Sequence, residues 1–90
     1  MGKEDDMIEL LKNQFLDECN GVIDYLNIAK DAKSKYPDKA YAQIFRDISR
    51  EERIHKNHLK DILADMGVEM TDEMKTADSN SEEIFESSFC

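Results

Sequence analysis

The sequence predicts an all-α fold: an antiparallel two-helix hairpin that dimerises into a four-helix bundle, with a polar C-terminal tail. Three observations predict it. Only one Pro and three Gly occur in 90 residues, and no stretch alternates with a strand period. Two long stretches repeat their apolar residues every three or four positions, as bundle helices do. Each of those repeats is interrupted by ionisable groups, and the interruptions fall at one height.

The first helix is expected from about 7 to 34. Glu4, Asp5 and Asp6 suit its N-terminus through the macrodipole, and Lys30, Lys33 and Lys35 suit its end. Its seam is Ile8, Leu11, Phe15, Glu18, Val22, Tyr25, Ala29 and Ala32, with Glu18 the one carboxylate. Leu16, Cys19, Ile23 and Leu26 widen the apolar face. Gly21 lies inside this helix at some cost in propensity, as a place for close approach by a neighbouring backbone or with no role.

Pro37 biases Tyr36 away from helical geometry, so the break falls near 34–37. The second helix is expected from about 38 to 66, ending at Gly67 as C′ residue with Val68 covering the end. Its seam is Tyr41, Phe45, Ile48, Glu52, His55, Leu59, Ile62 and Met66. Glu52 and His55 form Glu-x-x-His, which puts a carboxylate and an imidazole on one face, one turn apart. From the turn at Tyr36, Glu18, Glu52 and His55 all lie roughly 24–29 Å along their helices at ~1.5 Å per residue. They therefore face each other across the hairpin.

Residues 1–67 make up the hairpin. Residues 68–90 are expected to be a polar tail, with room for a short helix at 82–88 behind a Ser79-x-x-Glu82 capping box. Ile84, Phe85 and Phe89 would dock that helix on the bundle or on another protein. No internal repeat is evident.

With 21 acidic and 12 basic residues, the net charge of -9 argues against nucleic acid and anionic membranes as partners. No apolar run approaches a membrane span, and MGKEDDM lacks a signal-peptide core. The two cysteines form neither a CxxC nor a disulfide framework. A cytoplasmic protein is expected.

A hairpin with one charged triplet needs a partner for both reasons, burial and charge. A two-fold axis between two hairpins would gather four carboxylates and two histidines, the pattern of di-iron and di-manganese carboxylate proteins. Four carboxylates carry -4 and two divalent ions +4. Iron, manganese or zinc suits such mixed ligation.

The runs LDECNGVIDYLNIAKDA and AQIFRDISREERIHKNHLKDIL resemble the rubrerythrin-like branch of the ferritin superfamily over about residues 7–66. Glu18 matches the first-helix ligand, Tyr25 completes Glu-x6-Tyr, and Glu52 with His55 matches the ligand pair. Rubrerythrins carry four bundle helices and a four-cysteine iron site in one chain. This chain offers two such helices and two cysteines, a half-length form similar to the encapsulated ferritins.

The resemblance implies a ferritin-like bundle with two iron ions per dimer, held by Glu18, Glu52 and His55 of each copy. The activity implied is Fe(II) oxidation by dioxygen or peroxide, in a dimer or larger even assembly. It also implies a location inside a protein compartment, with the tail addressing the shell.

Alternatives are a peroxide reductase fed by an external electron donor, or a non-catalytic helical module whose buried polar network sets register. Tyr25 is either core or a hydrogen-bond partner of a ligand carboxylate. His58 is either solvated or an outer ligand where metal enters. Glu51 is expected exposed, Cys19 a small core residue, and Cys90 an exposed thiol.

Overall fold

The computed structural model describes residues 3–89, with Glu4 described by its backbone alone. It contains α1 (Lys3–Lys35), α2 (Tyr41–Asp65) and α3 (Asp72–Phe89), and no strand among the described residues. The three helices form a rod of 53 × 21 × 17 Å. Cys90 lies outside the described residues.

α1 starts earlier than the periodic pattern suggests, because the acidic residues ahead of Met7 are themselves good first-turn residues. It ends as Tyr36 N donates to Ala32 O at 2.8 Å. Lys39 N then donates to Tyr36 O at 3.1 Å, so Pro37 and Asp38 lie in a turn and α2 opens at Tyr41. Gly67 takes φ +75°, the left-handed conformation that a glycine tolerates. Gly67 N donates to Ala64 O at 3.0 Å and Val68 N to Leu63 O at 2.9 Å, a Schellman termination of α2. Val68 then covers the end, packing against Phe15, Cys19, Leu63 and Met74.

The expected polar tail is corrected here. Residues 72–89 form an 18-residue helix that docks on the hairpin, longer than the short helix placed at 82–88. Its start is Thr71, whose Oγ1 accepts from Met74 N at 3.2 Å, with Asp72 and Glu73 in the first turn. Ser79 and Glu82 sit inside α3 and cap nothing. Met74 is 1 % exposed and joins the core with Phe15, Cys19 and Leu63, a burial worth roughly 1.5–3 kcal/mol.

α3 packs closely on α1. No described Cα of α3 comes within 8 Å of one in α2. Long side chains span that gap. Arg53 grips Glu82 with both nitrogens, at 2.7 and 2.9 Å. Lys60 reaches Asp78 at 2.7 Å. Lys56, 0 % exposed, lies 2.8 Å from Asp78 Oδ1, 3.2 Å from Glu82 and 3.3 Å from Ser81 Oγ. The Asp78 contact is ionic rather than an aligned hydrogen bond. Burial alone would raise the Asp78 carboxyl, but the Lys56 and Lys60 ammonium groups outweigh it and hold it low. The Arg53 guanidinium holds Glu82 low. Arg53 also covers Phe85 and Arg50 covers Phe89, at 4.7 and 4.5 Å from the ring centres. The tail aromatics are thus engaged by the chain's own arginines.

α3 also changes which stripe of α2 is buried. The buried residues are Ser49, Lys56 and Leu63, each one position beyond Ile48, His55 and Ile62 of the predicted seam. One residue is about 100° of helix rotation. Tyr41 and Ile62 stay 44 % and 45 % exposed.

Candidate metal centre

Glu18 comes from the middle of α1, Glu52 and His55 from the middle of α2. The antiparallel hairpin brings all three together, as the height argument requires. One ligand atom from each lies within 4.8 Å of the other two. Atoms bound to one metal at ~2.1 Å can be at most ~4.2 Å apart, so a small side-chain contraction would close the set on an ion.

The three differ in environment. Glu18 is only 9 % exposed. Its Oε1 accepts from Gln14 Nε2 at 3.1 Å, one turn back on α1. Its buried Oε2 has no hydrogen-bond donor among the described residues and lies 3.8 Å from His55 Nδ1. An orphaned buried carboxylate oxygen is costly, and a cation or a shared proton satisfies it. The Glu52 carboxyl is pushed up to about 7 because its protonated form can share the proton with the neighbouring Glu18 carboxylate, and by burial and the Glu18 charge. His55 is half open, its side chain 54 % exposed. Oxygen and imidazole donors with one unsatisfied oxygen and two crowded carboxyls fit a divalent transition metal.

The other residues named from the sequence sit apart from this group. Tyr25 is half-buried and stacks on Phe45, centroids 6.4 Å apart and planes at 14°. Its hydroxyl makes no hydrogen bond to Glu18 or Glu52. His58 and Glu51 are exposed. The Cys19 thiol is buried and burial pushes it up to about 11, so it stays protonated and packs as a small apolar group. Two contributors escaped the sequence reading. Gln14 was legible only as a polar residue four before Glu18. Ser49, 0 % exposed, donates to Val22 O at 2.9 Å and ties α2 to α1 beside the site.

The raised Glu52 carboxyl carries a pH prediction for the metal-free chain. Between about 4.5 and about 7 the folded state keeps a proton that the unfolded state has released. That contribution is fully present below about 4.5 and is lost as pH rises through 7. Asp78 and Glu82, held low, contribute above the ordinary carboxylate range and lose their share below it. Metal-free protein should therefore melt highest in mildly acidic buffer. Divalent metal must displace the proton, so its stabilising effect should grow as pH rises through 7. Melting curves at pH 5, 6, 7 and 8, with and without Zn(II), check both trends.

Among the described residues no helix is long and apolar enough to cross a membrane. No curated protein and no solved structure is a significant match to the chain. The family model described as Rubrerythrin matches residues 9–87, through α3 as well as the hairpin. The match spans nearly the whole chain and includes all three clustered ligand-type residues, so the chain belongs to the rubrerythrin family, whose members typically bind iron.

Proposed function

We propose that the protein oxidises Fe(II), as a di-iron carboxylate protein of ferroxidase type, at a site completed by a second copy of the chain. The observation that carries the reading is the clustered Glu18, Glu52 and His55 on an open face. One hairpin supplies two carboxylates and one imidazole, half of the donor set that such sites use. α3 covers the opposite side of the hairpin. The open face continues the Glu18 stripe along α1 through Met7 and Ile28, and the His55 stripe along α2 through Tyr41, Ile44 and Ile62. All five are 42–51 % exposed. A two-fold pairing over this stripe would bury them and place two triplets together.

Fe(II) is the substrate: two ions lose one electron each to dioxygen or peroxide. The chain's residues hold the ions, exclude water and release the Glu52 proton as metal arrives. Peroxide reduction with an external electron donor is the second reading, and the family match is compatible with both. Comparing the oxidation rates of bound iron by dioxygen and by peroxide separates the two.

The direct test is iron content on anaerobically purified, Fe(II)-loaded protein together with its mass in solution. About one iron per chain in a dimer or larger even assembly is expected. A folded dimer that retains no iron would leave a non-catalytic helical module as the better account.

A further inference from the structure

We infer that Gly21 is a positioning residue of the metal centre: its missing side chain is the space in which the Glu52 carboxylate lies beside Glu18. This rests on the metal-binding reading above. Gly21 falls one turn after Glu18 on α1, on the face turned to α2. A Cβ built on Gly21 would stand 2.8 Å from Glu52 Oε2 and 3.4 Å from Glu52 Cδ and Cγ. Real Cβ atoms do not come that close to an oxygen, so the Glu52 carboxylate would have to shift from its place beside Glu18. No backbone atom of α2 is among those nearest contacts, so the space belongs to a side chain rather than to helix–helix approach.

The helices cannot easily part to relieve such a contact. Ser49, one turn before Glu52, donates to the carbonyl of Val22, the residue after Gly21. That bond is fully buried and fixes the α1–α2 spacing at this level. The flexible end of Glu52 must absorb the collision. Glycine in the middle of a 33-residue helix is otherwise unfavourable, and its φ is not in the left-handed region, so the backbone gives no reason for it. Local propensity and site geometry thus pull in opposite directions at this position.

That opposition makes the inference testable. Gly21→Ala should raise the thermal midpoint of the metal-free chain, by roughly 4 °C, because alanine is the better helix former. The same change should weaken Co(II) binding, followed by its absorption spectrum, by roughly 10- to 100-fold. Glu52→Asp draws the carboxylate back by one methylene. In that background Gly21→Ala should cost much less affinity, a coupling that a general packing role would not produce.

Equal Co(II) affinity in parent and Gly21→Ala overturns the inference while leaving the metal site standing. So does a Gly21→Ala chain whose metal-free form is less stable than the parent, since Gly21 would then serve packing. A parent chain that binds no Co(II) removes the metal reading and this inference with it.

Discussion

Glu52→Ala and His55→Ala are each expected to reduce Fe(II) oxidation to the uncatalysed background while leaving helix content unchanged. Both side chains project from the middle of α2, and neither contributes to the core around Phe15, Cys19, Leu63 and Met74. Removing a direct ligand should exceed the roughly 10- to 100-fold that residues behind the ligands command. The metal-free forms should behave differently from each other. Glu52→Ala ends the crowding that pushes the Glu52 carboxyl up to about 7, so it should melt no lower than the parent at pH 8. His55→Ala removes a half-exposed group and should be close to neutral. Oxidation at the parental rate in both variants would show that the site is elsewhere. Stopped-flow oxidation assays and circular dichroism read the two quantities separately.

The double substitution Asp78→Asn with Glu82→Gln is expected to release α3. Lys56 is fully buried, and these two carboxylates are its counter-charges. Neutralising both leaves an unpaired ammonium in the interior, a cost of about 3–5 kcal/mol. At ~4–8 °C per kcal/mol for a domain of this size, the midpoint should fall on the order of 12 °C or more. Undocking α3 hydrates Lys56, so the drop should come with fast amide exchange across residues 72–89. Adding Lys56→Met to the double variant should recover much of the loss, because an apolar side chain of similar length removes the stranded charge. If the triple variant melts no higher than the double, the penalty lies in lost hydrogen bonds to Asp78 and Glu82 rather than in Lys56.

These two sites also show why one half of the molecule was readable and the other was not. Helix rise is constant and the connection between α1 and α2 is short. Counting from Tyr36 therefore sufficed to put Glu18 level with Glu52 and His55. The termination at Gly67 followed from the conformational freedom of glycine, which is equally local. α3 gave no comparable signal. Its docking uses Lys56, Lys60 and Arg53 against Asp78 and Glu82, residues that in isolation read as a solvated surface. Its one large, fully buried apolar side chain is Met74. The start at Thr71, with Asp72 and Glu73 behind it, is the local signal that α3 does carry.

Periodicity in the sequence was enough for the helical class, the hairpin and the three ligand-type residues, because each depends on spacing along a regular helix. Three things depended on how the helices come together in space. They are the rotation of α2 that buries Ser49, Lys56 and Leu63, the charge-paired seat of α3, and the vacancy at Gly21 that Glu52 fills. Each rests on contacts between different helices, such as Lys60 with Asp78, Ser49 with Val22 and Glu52 with Gly21, which are 18, 27 and 31 positions apart, set by a helix rotation and spacing that no local pattern encodes.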